Sequence, residues 1–362
     1  MVHTPTDAPG RRLAVVLFNL GGPDSLEAVE PFLFNLFNDP AIIALPGPLR
    51  WLVAKLISRR RAPLTRDIYG HIGDRSPLLP LTQEQATALE QALRGADVDA
   101  DEVACVIAMR YWHPMTDEAV SRVAAFGADE IVLLPLYPQY STTTTASSVR
   151  AWTAAAKAAG LEVPTRLACC YPLEQAFVQA HVDLLAEAYA QARASGPVRV
   201  LLSAHGLPQK VVDGGDPYQW QVERTAAAII DGLKAALGEA EIDHAVCYQS
   251  RVGPLKWLEP NTEDEIDRAA RDGRAIVLAP VAFVSEHSET LVELDIEYRE
   301  LAEAAGAKAY VRVPALGTHP SFIDALVNVV GTARASAGIA DHTGGRSCPA
   351  GFARCCQAEI SL

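Results

Sequence analysis

The sequence predicts an α/β protein made of two Rossmann-like, doubly wound halves, each built on a parallel sheet. Short and almost continuously apolar runs alternate with longer helical segments along the chain. Parallel strands that are covered by helices on both faces give runs of this kind. The chain has 362 residues, which is long for one compact core and suits two domains. A weak internal echo, in which IVLLPLYPQYS (131–141) resembles IVLAPVAFVSE (276–286), also favours two similar halves.

Eight apolar runs are the predicted strands. The first, LAVVLFNL at 13–20, ends at a Gly-Gly-Pro turn that can open a helix. The other runs lie at 102–111, 130–138, 161–171, 198–205, 241–250, 275–283 and 308–316. A helical segment follows nearly every run, which is the order of elements in a doubly wound fold.

The boundary between the two halves is predicted at the Gly-Pro pair 196–197. A tail at 1–12 precedes the first half, which spans 13–196. The second half spans 197–335, and its last helix is expected to cross back over the first half. A cysteine-containing tail at 336–362 completes the chain.

The segment 31–61 differs in composition from the rest of the chain. It is apolar and aromatic, is interrupted by prolines, and ends in the basic run Arg59, Arg60 and Arg61. One interpretation is a buried pair of helices. The alternatives are a movable apolar lip over a pocket, or a surface that contacts a membrane.

Charge and composition exclude several classes of protein. The net charge of −13 argues against a sequence-independent nucleic-acid binder, which needs a basic field to neutralise phosphates. No run of 18 or more apolar residues predicts a transmembrane helix, and the first residues lack the apolar core of a signal peptide. The seven cysteines do not form a secreted disulfide framework. We therefore expect a cytoplasmic protein that is either free or peripheral to the inner membrane.

The SAHGLP segment (203–208) is the first candidate for chemistry. His205 ends a predicted parallel strand, and open α/β sheets bind their ligands at the carboxyl ends of their strands. The alternative is a structural histidine that is hydrogen-bonded at the end of the strand.

A second candidate follows another strand, in FVSEHSETLVELDIEY (283–298). Ser285 is a good helix cap, and a predicted helix then carries Glu289, Glu293 and Glu297 at intervals of four residues, beside His287. Like charges at this spacing repel one another, so the ridge costs some helix stability. A solvated acidic face would explain it, but a path for a metal or protons is the competing interpretation. Imidazole nitrogen and carboxylate oxygen together suit divalent iron.

Three further loops supply surface for a flat, anionic ligand. In MRYWHP (109–114), Arg110 can bind a carboxylate with two hydrogen bonds, and Tyr111 can stack on a ring. LYPQYSTTTTASS (136–148) is dense in tyrosine and hydroxyl groups, although a capped loop would explain it equally well. YQSRVGPLKWLEP (248–260) offers Trp257 as part of a wall. A planar, dianionic substrate that binds metal would use all of these features.

With these motifs in their order, the sequence resembles the ferrochelatase family from about residue 13 to about residue 330. The matching segments are LFNLGGPDSL (17–26), IGDRSPL (72–78), RYWHP (110–114), YPQYS (137–141), SAHGLP (203–208), GDPY (215–218), YQSRVGPLKWL (248–258) and SEHSETLVELDIEY (285–298). The resemblance implies two Rossmann-like halves with a porphyrin cleft between them.

The resemblance also implies an activity, which is the insertion of Fe²⁺ into protoporphyrin IX to make protohaem, the last step of haem biosynthesis. The family's catalytic histidine falls on His205 and its metal-site glutamate on Glu289, with His287, Glu293 and Glu297 continuing the metal path. The positions that match those around the macrocycle and its propionates are Arg110, Tyr111, Tyr137, Ser141, Trp257 and Phe283. Two alternatives stay open: an iron chelatase for coproporphyrin III, and a haem or metal carrier that does no chemistry. The sequence does not specify an oligomeric state.

The resemblance implies no cofactor for the chemistry beyond the substrate Fe²⁺, but it raises the question of an iron–sulfur cluster. Animal ferrochelatases hold a 2Fe-2S cluster with three cysteines of a C-terminal tail and one in the loop after YPQYS. Here the tail carries Cys348, Cys355 and Cys356, whereas the loop position is Thr142. The fourth ligand would then be Cys170 or its neighbour Cys169, because a cluster usually requires four thiolates. The alternative is a loose tail with free thiols.

Overall fold

The computed structural model describes residues 11–96, 98–251, 253 and 255–360, and within them it contains two parallel sheets. The first sheet has the strand order β2-β1-β3-β4-β9, and the second has the order β6-β5-β7-β8. The strands are β1 (Arg12–Asn19), β2 (Glu102–Met109), β3 (Glu130–Pro135), β4 (Thr165–Ala168), β5 (Val198–His205), β6 (His244–Gln249), β7 (Ala275–Pro280), β8 (Tyr310–Arg312) and β9 (Ile339–Ala340). Each of the eight predicted runs overlaps one of the first eight strands, so the predicted fold class is confirmed. The predicted tail at 1–12 lies outside the described residues up to residue 10.

The helices fill the spaces between these strands. They are α1 (Val29–Phe37), α2 (Gly47–Gly70), α3 (Leu78–Gly95), α4 (Thr116–Phe126), α5 (Thr145–Ala159), α6 (Gln175–Arg193), α7 (Gln209–Asp213), α8 (Tyr218–Leu237), α9 (Thr262–Arg271), a π-helix (Glu289–Glu297), α10 (Tyr298–Ala304), α11 (Pro320–Ala335) and α12 (Cys356–Glu359).

One strand in each sheet marks where a ligand site should lie. β1 pairs with β2 on one side and β3 on the other, and β5 pairs in the same way with β6 and β7. The order of strands therefore reverses at β1 and at β5, and ligands of open α/β sheets bind at the carboxyl ends of strands at such points. His205 is the last residue of β5.

Helix α11 packs against elements that precede residue 196. α11 packs against α3, α6 and β4, and its buried Phe322, Leu326 and Val330 share one apolar core with β1. β9 then pairs with β4, with Leu167 opposite Ile339. The start of the C-terminal tail thus becomes an edge strand of the first sheet.

The acidic segment forms a different helix from the expected one. Residues Glu289–Glu297 form a π-helix, in which the Tyr298 N–H donates to the carbonyl of Glu293, five residues earlier. The prediction that Ser285 caps this helix is wrong: its hydroxyl donates to Gln85 Oε1 at 2.9 Å, and the helix begins four residues later. The residues that follow β7 contact α3 through Ser285, and the helix begins only after this contact.

The segment 31–61 forms most of α1 and the first part of α2. α1 buries Phe32 and Leu33, but the outer face of α2 is exposed, including Trp51 (52%) and Leu56 (69%). The interpretation as a wholly buried helix pair is therefore wrong. Among the described residues, no helix combines the length and the apolar character needed to cross a membrane.

Candidate active site

The centre of the candidate site is a pair formed by β5 and the π-helix. His205 Nδ1 lies 2.9 Å from Glu289 Oε2, although the two residues are 84 positions apart. The strand delivers the imidazole at its carboxyl end, and the first residue of the π-helix delivers the carboxylate. The sequence-predicted histidine and glutamate are thus in direct contact.

Ser250 joins a second carboxylate to this pair. Its hydroxyl lies within hydrogen-bond distance of Glu289 Oε2 (3.1 Å) and also contacts the carboxylate of Glu293. Its backbone N–H donates to Glu293 Oε1 at 2.9 Å, and the Tyr298 hydroxyl donates to the same oxygen at 2.9 Å. Ser250 has a positive φ of 63°, an uncommon backbone conformation for a residue other than glycine. Ser250 was not predicted as a site residue, although it directly follows β6 within the segment 248–260.

The protein environment gives the two carboxylates, Glu289 and Glu293, different pKa values. Burial opposes ionisation of Glu289, but the neighbouring His205 and its hydrogen bond lower the pKa of Glu289 to about 2. Burial and the negative charge of Glu289 raise the pKa of Glu293 to about 7. Burial also opposes the charged form of His205, yet Glu289 and Glu293 outweigh it and raise the pKa of His205 above its ordinary value. Two titratable groups driven apart in this way are typical of acid–base chemistry.

The other two members of the predicted metal path differ from each other. His287 is buried, accepts the Glu289 N–H at Nδ1 (2.9 Å), and its ring lies edge-on to Phe283 at 4.9 Å. Burial lowers the pKa of His287, so its ring is neutral near pH 7. Glu297 is exposed at the far end of the π-helix. Within the part of the chain that the structure describes, no three histidine, cysteine or acidic side chains are already gathered as a metal-ligand set.

Arg110 binds a carboxylate of the protein itself. Its Nη2 lies 2.8 Å from Asp39 Oδ2, its Nε donates to Ser147 Oγ at 2.7 Å, and its guanidinium lies over the Tyr111 ring at 5.0 Å. The Tyr111 hydroxyl also donates to Asp39, at 2.9 Å, and Tyr111 is buried. Asp39 lies just after α1, so this network ties the segment 31–61 to the end of β2. The contact of Arg110 with a substrate carboxylate stays a prediction.

The remaining predicted substrate positions lie around the same edge of the sheets. Ser141 is buried and donates to Asp216 Oδ2 at 3.0 Å, whereas Tyr137 is partly buried beside Ser148. Trp257 is partly buried and lies beside the SAHGLP segment through a bridge to Pro208. Residues 252 and 254 of the same segment lie outside the described residues.

A second contact between α2 and the site was not predicted from the sequence. Tyr69, near the end of α2, is buried, and its hydroxyl lies beside Ser76 and Ser288. Burial raises the pKa of Tyr69 to about 12. Ser288 directly precedes the π-helix, so α2 is linked to the element that carries Glu289.

Comparison with known proteins decides the family. A family model described as Ferrochelatase matches residues 12–334 of this chain. The chain belongs to the ferrochelatase family.

Relatives of known name agree over almost the whole length. A protein of Hyphomonas neptunium named Ferrochelatase is 54% identical over 354 residues, which cover 97% of this chain and 96% of that one. A Ferrochelatase of Caulobacter vibrioides is 53% identical over 338 residues, covering 93% of this chain and 94% of the relative. The predicted family and the expectation of an enzyme are therefore confirmed.

Among solved structures, SirB from Bacillus subtilis with Fe³⁺ is similar with a TM-score of 0.50 and 13% identity. The match covers 89% of this chain and 95% of that one. At this identity the similarity concerns the fold alone, and it agrees with the two parallel-sheet halves described above.

Proposed function

We propose that this member of the ferrochelatase family inserts Fe²⁺ into protoporphyrin IX to form protohaem, with His205 and Glu289 at the reacting centre. The observation that carries the residue assignment is the 2.9 Å contact between His205 Nδ1 and Glu289 Oε2. This contact leaves Nε2 as the imidazole nitrogen available to a substrate. The pair offers one nitrogen and one carboxylate donor, a combination that suits divalent iron.

Metal insertion releases two pyrrole protons for each iron that enters, so the site must accept protons as well as iron. An imidazole can take a pyrrole proton near neutral pH when it lies within hydrogen-bond reach. Glu293, whose pKa is raised to about 7, adjoins the pair through Ser250 and is suited to pass a proton outward. We assign proton acceptance to His205, its orientation to Glu289, and relay to Glu293.

The experiment follows iron insertion by the loss of protoporphyrin fluorescence. His205→Ala should lower kcat by about 100-fold or more, since general acid–base groups contribute factors of this size. The matched control is His244→Ala, which changes an exposed histidine at the opposite end of β6 and should keep wild-type activity. Near-normal turnover by folded His205→Ala protein would contradict the assignment of His205.

The same assay separates the alternatives. Coproporphyrin III offered in competition tests the substrate, and preferential turnover of coproporphyrin III would overturn the protoporphyrin assignment. A carrier without chemistry would retain haem tightly, and iron insertion would not depend on His205.

We also propose that Cys170, Cys348, Cys355 and Cys356 hold a 2Fe-2S cluster. These four residues and Cys169 are called the thiol pocket below. All four side chains are buried, as is Cys169, whose sulfur lies 3.6 Å from that of Cys170. The hydrogen bond between Cys348 and Cys355 lowers the pKa of Cys355 to about 6 and raises the pKa of Cys348, so the thiolate form is favoured at Cys355. A bound cluster would supply a one-electron redox couple. Four cysteine thiols are the usual donor set for such a cluster, although among the described residues no three of them are already gathered as ligands, so binding would draw them together. Burial of the three tail thiols argues against a loose tail.

The loop position after YPQYS carries a hydroxyl rather than a thiol. Thr142 stands at that position, and its N–H and its hydroxyl donate to Asp216 Oδ2 at 2.8 and 2.7 Å. β9 lies beside β4, and β4 ends directly before Cys169 and Cys170. The end of β4 is therefore the source of the fourth thiolate in this proposal.

Iron and sulfide content, together with visible absorption of anaerobically purified protein, test the cluster. Cys355→Ser should remove the thiolate-to-iron bands. Cys247→Ser is the matched control, because Cys247 is buried in β6 of the other sheet and lies outside the pocket. Wild-type protein without stoichiometric iron and sulfide would overturn the proposal.

The exposed face of α2 supports a proposal of peripheral membrane contact. Its apolar side chains Leu49, Trp51, Leu52 and Leu56 precede the basic run of Arg59 to Arg61, a combination that favours anionic bilayers. Co-sedimentation with phosphatidylglycerol vesicles should be lost in the double variant Trp51→Ser/Leu56→Ser. The control is Leu255→Ser, an exposed leucine elsewhere on the surface. Equal sedimentation of wild-type and double-variant protein would contradict membrane contact through α2.

A further inference from the structure

Gln221 is a fully buried amide that lies between two thiols of the pocket. It belongs to the first turn of α8, and none of its surface is exposed. Its Nε2 lies 3.3 Å from Cys170 Sγ and 3.1 Å from Cys348 Sγ. The two sulfurs come from distant parts of the chain, the end of β4 and the C-terminal tail.

The orientation of this amide is fixed by its other end. Gln221 Oε1 accepts the backbone N–H of Tyr140 at 2.7 Å, so the oxygen must face Tyr140 and the NH₂ group must face the sulfurs. An amide nitrogen carries two donor hydrogens, and two sulfur atoms stand within reach of them. Each of the two N–H groups of Gln221 therefore has a sulfur acceptor of its own.

The acceptors are unusually weak for a buried amide. A thiol sulfur accepts hydrogen bonds poorly, whereas hydrogen bonds to an ionised acceptor are roughly twice as strong as neutral ones. The buried donor group is therefore better satisfied when Cys170 and Cys348 are thiolates than when they are thiols. The amide of Gln221 therefore stabilises the pocket best when Cys170 and Cys348 are ionised.

We infer that Gln221 is a positioning residue for the cluster, donating one N–H···S hydrogen bond to Cys170 and one to Cys348 and thereby raising the reduction potential. The inference rests on the proposed 2Fe-2S cluster and adds to it a residue that is not a ligand. Hydrogen bonds to the sulfurs are among the factors that set the potential of such clusters. They favour the reduced form because it carries one more negative charge.

The test measures the midpoint potential of the purified holoprotein by redox titration, followed by visible absorption and electron paramagnetic resonance. Gln221→Met keeps a side chain of similar size but has no donor. It should make the reduction equilibrium constant about tenfold smaller, which is a negative shift of about 59 mV for one electron. The matched control is Gln85→Met, because Gln85 is also a buried amide but donates to the carbonyls of Val284 and Gly317. Its midpoint should equal that of the wild type.

A second variant keeps the inference testable if the methionine variant loses its iron. Gln221→Glu retains an acceptor for Tyr140 but places carboxylate oxygens beside the two sulfurs, so its midpoint should also become more negative. Loss of the cluster from both Gln221 variants, with folded protein and a loaded Gln85→Met control, would also support the inference, since the donor is then needed for binding.

The outcomes that overturn the two proposals differ. A fully loaded Gln221→Met protein with the wild-type midpoint would overturn the role of Gln221 and leave the cluster standing. Wild-type protein without iron and sulfide would overturn the cluster itself, and the inference with it.

Discussion

At the scale of single residues, Ser250 shows how one small side chain organises two acidic ones. It contacts the carboxylates of both Glu289 and Glu293, while its backbone N–H supplies a further donor to Glu293. Without Ser250, Glu289 would keep its contact with His205 and Glu293 its hydrogen bond from Tyr298, but nothing would join the two carboxylates. The serine therefore links the carboxylate whose pKa is lowered to the one whose pKa is raised, and its hydrogen bonds favour the ionised form of both.

Ser250→Ala should lower kcat for iron insertion by about tenfold while leaving KM for the porphyrin close to that of the wild type. The hydroxyl bonds to charged groups, and loss of such a bond costs about 1.5 kcal/mol or more, which corresponds to about tenfold in rate. Steady-state kinetics by porphyrin fluorescence would measure both constants. Ser121→Ala, on the exposed face of α4, is the control. An unchanged kcat in Ser250→Ala would show that Ser250 has no part in arranging the carboxylates.

Some residues of the candidate site could be predicted from the sequence and others could not, and the difference has a physical cause. His205 and Glu289 could be predicted because each follows a recognisable strand with chemistry-bearing neighbours. Asp39 and Tyr69 could not, because Asp39 lies in the loop after α1 and Tyr69 near the end of α2, and both gain their role from contacts across the fold. A residue whose partner is more than 70 positions away, such as Asp39 with Arg110, leaves no local signal.

At the scale of elements, the π-helix is where local pattern was least informative. Acidic residues at intervals of four predicted an α-helix beginning after Ser285, whereas the element is a π-helix beginning at Glu289. Side-chain spacing alone does not distinguish hydrogen bonds to the fourth residue from those to the fifth. The strands were predicted well because burial on both faces gives a strong apolar signal, but the two-residue strand β9 was too short to give any.

Helix α6 provides a test of how burial affects stability with pH. His181 is buried on α6 against Phe177, and burial together with the neighbouring His319 lowers the pKa of His181 to about 3. A histidine whose pKa is lowered by folding leaves stability intact above about pH 6.5. As the pH falls below that value, the unfolded chain binds a proton at His181 that the folded chain does not bind. The free energy of unfolding therefore decreases until about pH 3.

Replacing His181 with leucine should remove this loss. The free energy of unfolding of wild-type protein relative to His181→Leu should fall by about 1.4 kcal/mol for each pH unit between pH 6 and pH 4. Urea denaturation at several pH values would measure the difference. His244→Leu, an exposed histidine, should show the pH dependence of the wild type. Parallel curves for wild type and His181→Leu would contradict the buried, neutral state of His181.

At the scale of the whole molecule, Glu130 joins distant parts of the first half. This buried carboxylate at the start of β3 lies 2.6 Å from Arg166 of β4 and 3.1 Å from Arg334 of α11. It therefore fastens the returning helix to the sheet. Three guanidinium groups, including that of Arg11 at 3.7 Å, share this one buried carboxylate.

Glu130→Gln should lower the free energy of unfolding by about 3 kcal/mol, because removing one partner of a buried pair leaves charge uncompensated. Denaturant titration at neutral pH would measure the loss. The control is Glu102→Gln, whose ion pair with Arg12 is exposed, so its effect should stay within about 0.5 kcal/mol. Equal stability of the two variants would show that Glu130 does not anchor α11.

The return of α11 and β9 to the first sheet has a consequence for biosynthesis. The core around β1 includes Phe322 and Leu326, and the edge of its sheet is β9 at Ile339–Ala340. A nascent chain that has emerged only as far as residue 196 lacks both, whereas the second sheet draws its strands from 198–312 without interruption. The second sheet can therefore form before the first is complete, reversing the order of synthesis. A ribosome stalled before the last 40 or so codons would display a half that still lacks its covering helix.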